Sequence, residues 1–266
     1  MESKRRGFLL AVLAAIFLAG LGVLLYPAAH GAWSQWRMKG KAEEFLSFVQ
    51  TDSYVPGENF SSPPPNGEHQ EQMNAPGLVI PDKYPELWLD MRDYNESLYE
   101  SGQTGLSNTA AYETPSFQLS DYGLDAEVFG VISIPKLDVE LPLYLGATGA
   151  HMAGGAAHMT QTSLPIGGEN TNSVIAGHRG WKGAAYFLYI PQLEQGDLVQ
   201  VTNLWETLTY KVVETKIIYP DEVEAIHIQP GRELLTLLAC HPPASGGKQR
   251  YLVFCEQVQT EMEDIT

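Results

Sequence analysis

The 266-residue sequence has few cysteines and few basic residues, and both shortages exclude classes of protein. Its two cysteines, Cys240 and Cys255, belong to no C-x-x-C motif or Cys/His cluster, so the sequence contains no zinc-site spacing. Lysine and arginine together number 16 against 32 aspartates and glutamates, which gives a formal net charge of −16. A nucleic-acid-binding surface is normally basic. We therefore expect no nucleic-acid partner.

The N-terminus contains one long stretch without charge. Lys4, Arg5 and Arg6 precede residues 7–26, twenty uncharged residues that would cross about 30 Å of hydrocarbon at about 1.5 Å per residue. Basic residues before a span predict that residues 1–6 are a cytoplasmic tail and that the rest lies outside. A cleaved signal peptide is the competing interpretation, because small residues follow the basic ones. The length of the apolar stretch favours an uncleaved anchor.

Export would permit a disulfide between the two cysteines, but the strand pattern opposes it. Two apolar runs flank the Pro- and Gly-rich residues 241–249, which predicts an antiparallel hairpin. If Cys240 faces Arg250, then Cys255 faces position 235. At about 3.4 Å per residue the cysteines are then roughly 16 Å apart, beyond the limit of about 7 Å between bridged Cα atoms. Cys255 is thus predicted to be buried, and Cys240 to be accessible at a strand end.

The remaining sequence divides into a linker region, a region before the main domain, the domain itself and a tail. A membrane-proximal helix at 33–50 and a proline-rich linker at 51–77 are predicted within residues 27–80. Residues 81–124 contain a predicted helix at 85–99 and a polar stretch, 100–121, in which a lid is possible. The domain is predicted to span 125–260, followed by an acidic tail, 261–266.

The domain is predicted to be mainly β. Seven runs rich in β-branched, aromatic or alternating residues are bounded by turn signals. These candidate strands are 128–134, 139–144, 172–177, 198–203, 208–219, 234–240 and 251–258. Residues 181–188 look weakly helical. Many short strands with turns between them predict a closed β-barrel or a sandwich.

Three residues at strand ends have the chemistry of nucleophilic acyl transfer. Cys240 attacks as a thiolate and needs a neighbour that takes its proton, for which His178 is suited by its pKa near physiological pH. Arg250 stays protonated and offers a rigid fork of N–H donors for an oxyanion. His241 is the rival base, although neighbouring side chains in an extended chain point to opposite faces.

Several motifs resemble those of the sortase family. The similar segments are 236–240 (Thr-Leu-Leu-Ala-Cys) with Arg250, 176–178 (Ala-Gly-His), 162–173, 193–197, 134–136 and 141–144. The resemblance covers roughly residues 125–258. Within the family the sequence is most similar to class C, the pilin-polymerising group, because of Gly-Gly-Glu-Asn-Thr at 167–171 and Gly-His-Arg-Gly at 177–180.

The resemblance implies a fold and an activity. The fold is an eight-stranded sortase-type β-barrel with short helices, preceded by an N-terminal transmembrane helix. The expected enzyme is a single-pass membrane transpeptidase with an extracellular catalytic domain, which cleaves an LPXTG-like sorting signal on a secreted protein. Cys240 would attack the threonine carbonyl, Arg250 would stabilise the tetrahedral intermediate and His178 would protonate the departing amine. A pilin lysine or a peptidoglycan precursor would resolve the thioester, with no metal or organic cofactor.

The sequence departs from the family pattern at two places. Ala239 stands before Cys240, where the family usually has threonine. The Asp-Pro-aromatic lid motif of class C is matched only faintly by Thr114, Pro115, Ser116 and Phe117, and no second apolar span follows the domain.

Three other interpretations compete. A papain-type peptidase would place its cysteine before its histidine, and a caspase-like enzyme would have a Gln-Ala-Cys signature that this sequence lacks. The third is a non-catalytic, membrane-tethered β-domain that binds a cell-wall polymer or protein, with Cys240 merely buried.

Overall fold

The structure is a computed structural model that describes residues 2–51 and 79–258. The predicted proline-rich linker, apart from its first residue, and the predicted acidic tail lie outside these ranges.

Within the described residues, the α-helices are α1 (Glu2–Thr51), α2 (Pro85–Glu100) and α3 (Gly149–Gly154). The predicted helices at 7–26 and 33–50 are one continuous helix, α1, which runs through Pro27. Within the described residues, α1 is the one helix long and apolar enough to cross a membrane, and its apolar part is unburied. The helix predicted at 85–99 is confirmed as α2, whose Pro85 supplies the fixed φ that suits a first helical position.

Between residues 128 and 257, all of which the structure describes, there are ten β-strands, of which eight close a barrel in the order β1-β2-β3-β4-β9-β10-β8-β7. The strands are β1 (Val128–Ile134), β2 (Val139–Leu145), β3 (Ala156–His158), β4 (Thr171–Ala176), β5 (Arg179–Trp181), β6 (Ala184–Tyr186), β7 (Leu198–Thr202), β8 (Thr207–Ile218), β9 (Glu233–His241) and β10 (Gln249–Gln257). The predicted eight-stranded barrel is confirmed, and each of the seven predicted strands is present within two residues of its predicted ends.

The weak helix predicted at 181–188 is wrong, because β5 and β6 form a hairpin there. Trp181 pairs with Ala184 across a two-residue turn in which Lys182 has a φ of 45° and Gly183 a φ of 87°. A turn with two positive φ angles matches the right-handed twist of paired strands and ends any helix. The dipeptide Lys182-Gly183 is thus the sequence signal for this hairpin turn.

The barrel has two chemically different ends. Strands β4 and β9 run in parallel toward one end, where Ala176 and Cys240 lie and where β10 begins, and we call this the site end. The opposite, closed end is covered by α1 and α2 over an apolar cluster of buried residues. This cluster includes Phe45, Leu87, Phe129, Leu164 and Leu204.

Buried polar side chains at the closed end are hydrogen-bonded to the backbone. The Oδ1 atom of Asn95 accepts from the Leu164 N–H at 2.7 Å, and its Nδ2 donates to the Leu164 carbonyl at 3.2 Å. Asn203 donates to the Pro165 carbonyl at 3.0 Å. Because a buried polar group without a partner costs free energy, these bonds fix the loops that the helices cover.

Candidate active site

The β9–β10 hairpin sets Cys240 directly opposite Arg250 and Cys255 opposite Leu235. This is the register predicted from the sequence, and both cysteines are free thiols. Cys255 is fully buried, and desolvation raises the pKa of its thiol well above the ordinary value. Cys240 is partly exposed. The two thiols therefore differ in their access to solvent.

Alternation along β9 gives Cys240 the outer face of the sheet. Leu235, Leu237 and Ala239 belong to the barrel core, so the intervening positions point outward. Arg250, as the cross-strand partner of Cys240, shares its face. The thiol and the guanidinium are thus side by side on one outward surface at the site end.

His178 reaches the same place from the neighbouring parallel strand. Ala176 of β4 pairs with Leu238 of β9, and the Gly177 N–H donates to the Leu238 carbonyl at 3.0 Å. His178 and Cys240 each follow their paired residues by two positions, which brings the two side chains level at the strand ends. The structure therefore places His178, Cys240 and Arg250, the three residues predicted from sequence, at or beside the ends of the neighbouring strands β4, β9 and β10.

Two aromatic rings hold the imidazole of His178. The Trp181 ring stacks on it with centroids 4.6 Å apart and planes 14° from parallel, and the Tyr186 ring meets it edge-on at 5.7 Å. Burial lowers the pKa of His178 from its ordinary value and so favours the neutral ring. In the described part of the chain no group hydrogen-bonds to this ring, so both nitrogens can serve a substrate or the thiol. Sequence reasoning did not identify either aromatic residue.

The guanidinium of Arg250 is fixed by the loop before it. Its Nη1 donates to the carbonyls of Gly247 at 2.6 Å and of Gln249 at 3.1 Å. The N–H groups of Nε and Nη2 remain for a substrate oxygen. Gly247 has a φ of 78°, and a β-carbon there would lie 3.0 Å from Arg250 Nη1 and 3.5 Å from Cys240 Sγ. A glycine is thus required where the thiol and the guanidinium approach the backbone.

His241 has other partners. Its Nδ1 lies 3.2 Å from Nη1 of Arg179, and its ring tilts against Tyr251, which packs against the barrel core. Since arginine can only donate, Nδ1 is the acceptor. Alternation along β9 directs His241 away from the face of Cys240.

An apolar strip leads up to the three residues on the outer face. Ala176 lies two positions before His178, and Leu238 lies two positions before Cys240. Ile218 lies opposite Arg250, and Leu252 follows Arg250 by two positions. These four residues belong to one cluster with Leu106, a fully buried residue in the segment of the chain that connects α2 to β1. No local sequence pattern predicts this contact, because Leu106 lies in a polar, irregular stretch.

The fold and the site define a class: closed eight-stranded barrels with a cysteine at the end of one strand and an arginine at the start of the next. A family model described as the sortase domain matches residues 132–258. Sortase D of Bacillus subtilis is 30% identical over 131 residues, which are 48% of this chain and 63% of that protein. The chain thus spans less than two thirds of that relative's own length.

Solved structures of sortases resemble this chain as well. A pilus-related sortase C of Group B Streptococcus has a TM-score of 0.53 and 28% identity over 65% of this chain and 91% of that one. Sortase C-1 of Actinomyces oris has a TM-score of 0.50 and 31% identity over 62% and 98%, respectively. This chain belongs to the sortase family, and the predicted similarity to class C is confirmed.

Sortases are cysteine transpeptidases associated with the membranes of Gram-positive bacteria. The departure at position 239 has little bearing on the site surface, because Ala239 is buried in the barrel core. A side chain there points away from Cys240.

Proposed function

We propose that this chain is a membrane-anchored transpeptidase that cleaves an LPXTG-like sorting signal and transfers the acyl group to an amine. The observation that carries the proposal is the position of Cys240, Arg250 and His178 at the site ends of three neighbouring strands, with the first two directly opposite across a hairpin. The apolar strip beside them suits the aliphatic side chain at the start of such a signal.

Acylation would begin with proton transfer from the Cys240 thiol to neutral His178. The sulfur attacks the threonine carbonyl carbon, and the free N–H groups of Arg250 donate to the oxyanion that forms. The imidazolium then gives its proton to the departing amine as the C–N bond breaks. A thioester on Cys240 and a neutral His178 remain.

Deacylation would reverse the roles. An incoming amine attacks the thioester carbonyl while His178 removes its proton, and the Cys240 sulfur leaves as thiolate or thiol. A pilin lysine and a peptidoglycan precursor are the two candidate amines. The pilus-related relative supports the pilin lysine, and with it a polymeric product.

The same proposal includes the anchor. Residues 7–26 of α1 are apolar and unburied, and three basic residues precede them, which supports a single span with the barrel outside the cell.

The test is detection of the acyl-enzyme. Full-length protein in detergent is incubated with an LPXTG-type peptide without amine and then analysed by mass spectrometry. We expect an adduct on the wild type and on Cys255→Ala, and none on Cys240→Ala. An adduct that persists in Cys240→Ala would refute the assignment. If the wild type forms no adduct and Cys240 does not react with iodoacetamide, the non-catalytic binding domain becomes the better interpretation.

We also propose that residues 101–117 act as a lid, here called the covering segment. Leu106 fills part of the apolar strip, and the hydroxyl of Tyr112 donates to the Leu106 carbonyl. Gln103 accepts from the Ile228 N–H at 2.6 Å and donates to the Gln161 carbonyl at 3.2 Å. The covering segment therefore bridges loops on both sides of the strip. A sorting signal lying along the strip would have to displace it.

Leu106→Ala tests the lid because it weakens this contact alone. We expect iodoacetamide to label Cys240 several-fold faster, and a sorting peptide to show a lower KM. Leu119→Ala is the matched control, since Leu119 packs against the closed-end cluster instead. Equal labelling rates in Leu106→Ala, Leu119→Ala and the wild type would contradict the lid.

A further inference from the structure

The long helix α1 contacts the two ends of the barrel at different heights. Ala42 and Phe45 belong to the closed-end cluster, whereas Gly31 and Ser34 contact the β5–β6 hairpin at the site end. The contacts to the site end therefore lie closer to the apolar stretch of α1 than the contacts to the closed end. The end of the barrel that holds Cys240 is the end nearer to the membrane-spanning residues.

The contact between α1 and the hairpin is backbone against backbone. A β-carbon on Gly31 would lie 2.3 Å from the Gly183 carbonyl oxygen, and one on Gly183 would lie 2.2 Å from the Pro27 carbonyl oxygen. Only glycine at both positions permits this approach. Ser34 and Tyr186 extend the contact, with their hydroxyl oxygens 3.5 Å apart.

The hairpin held in this way is part of the active site. It begins immediately after His178, whose ring lies between Trp181 and Tyr186. The position of the helix relative to the barrel thus sets the distance between the bilayer and the catalytic imidazole.

The level of the contact follows from helix geometry. At about 1.5 Å per residue, Pro27 and Gly31 lie about 2 Å and about 8 Å beyond Tyr26, the last residue of the apolar stretch. The headgroup layer on each side of a bilayer is about 5–7 Å thick. The turn at Lys182 and Gly183, which meets the helix between these residues, is therefore level with the headgroups.

The side chains at this level suit a lipid–water boundary. Trp33 is 52% exposed, Trp36 72% and Trp181 41%, in a chain where most large aromatic side chains are covered. Arg37 lies over the Trp33 ring at 4.9 Å, and Lys182 lies over the Trp181 ring at 5.4 Å. Tryptophan is enriched where hydrocarbon meets water, and long basic side chains reach from there to phosphate. The charged residues in the contacting segments 27–37 and 179–186 are Arg37, Arg179 and Lys182, all basic, although the chain as a whole is acidic.

We propose that the β5–β6 hairpin lies in the headgroup layer of the membrane that holds α1, so that the site end of the barrel faces the bilayer. The inference rests on the proposed membrane anchor and adds an orientation to it. Both the acyl donor and the amine would then have to present their reacting groups at the bilayer surface.

The test measures depth at two positions of the full chain in vesicles. Lys182→Cys in a Cys240→Ala background carries one accessible thiol, because Cys255 is fully buried. The thiol is labelled with bimane and the protein is reconstituted in phosphatidylcholine vesicles that contain a nitroxide-headgroup lipid. Glu169→Cys in the same background is the control, since Glu169 is exposed at the closed end.

We expect the nitroxide lipid to quench the label at position 182 at least twofold more than the label at position 169. Equal quenching at both positions in vesicle-bound protein would overturn the orientation and leave the anchor intact. Flotation with the vesicles separates the two ideas, because a chain that fails to float contradicts the anchor and the orientation with it.

A second comparison tests the helix contact itself. Gly31→Leu forces α1 away from Gly183, whereas Gly40→Leu lies on the same helix with no atom within 4 Å of its β-carbon. Introduced into the labelled Lys182→Cys protein, Gly31→Leu should reduce the quenching and Gly40→Leu should not. Full quenching in Gly31→Leu would show that the helix contact does not set the orientation and would overturn that part of the inference.

Discussion

The two ends of the barrel treat polar groups in opposite ways. At the closed end Asn95 and Asn203 are buried and hydrogen-bonded to the backbone of one loop. At the site end Cys240 and the ring of His178 are partly exposed, and the ring is held by aromatic packing and not by hydrogen bonds. At the closed end the polar side chains hold a loop in place, whereas at the site end the reactive atoms of Cys240 and His178 form no hydrogen bonds among the described residues.

This difference matters because the barrel connects the two ends. Strands β4 and β9 begin beside the closed-end loops and end at His178 and Cys240, so the loops that Asn95 fixes also set where these strands start. A change at the closed end should alter the free energy of unfolding, and a change at the site end should alter turnover.

The largest effect is expected for His178→Ala. Loss of the proton carrier should lower turnover by about 10²–10⁴-fold with an unchanged circular dichroism spectrum. In the wild type, burial lowers the pKa of His178, and in the proposed mechanism the neutral ring accepts the thiol proton. The pH at the midpoint of the acid limb of kcat/KM should therefore lie below the ordinary histidine pKa of about 6.5. A loss in His241→Ala that exceeds the loss in His178→Ala would reassign the base.

The second prediction concerns the fully buried His158 of β3. Burial lowers the pKa of His158 to about 4, and its Nε2 lies within hydrogen-bond distance of the Thr162 and Ser163 carbonyls. Because the unfolded chain takes up a proton near pH 6.5 and the folded chain does not, the contribution to stability is complete above that pH. It is lost as the pH falls toward 4, at up to about 1.4 kcal/mol per pH unit.

Urea unfolding in detergent between pH 7 and pH 5 measures this slope. In His158→Gln the slope should be shallower by nearly one proton, and turnover per folded molecule at pH 7 should stay close to that of the wild type. An identical slope in the two proteins would mean that His158 is accessible to protons in the folded state. A large loss of turnover would contradict the separation of the two ends.

The smallest effect is expected for Trp181, whose ring stacks on the imidazole of His178. Removing the stack in Trp181→Ala should lower kcat by about 3- to 10-fold, the equivalent of about 0.5–1.5 kcal/mol. Trp181→Phe keeps an aromatic face and should recover most of that loss, with the same KM. Equal kcat values in both variants would show that the stack does not position His178.

The arrangement of reactive groups on the β9–β10 hairpin could be predicted from the sequence. Alternation along residues 234–240 and 251–258, with a Pro/Gly loop between them, was enough to pair Cys240 with Arg250 and to separate Cys255. The β5–β6 hairpin was missed because its strands have three residues each, too short for a period to emerge, and its turn uses Lys182 in place of the usual Asn or Asp.

The local features of this protein follow from its sequence alone: an apolar N-terminal stretch, seven of the eight barrel strands, and the strand ends at or beside which Cys240, Arg250 and His178 lie. Periodicity and turn chemistry act over a few residues, so a single sequence contains them. Contacts between residues far apart in the chain are visible only in the folded protein, such as Leu106 over the apolar strip, Trp181 against His178 and Gly31 against Gly183. These contacts exist because the closed barrel brings those surfaces together, and no local pattern encodes which distant side chain will fill a given space.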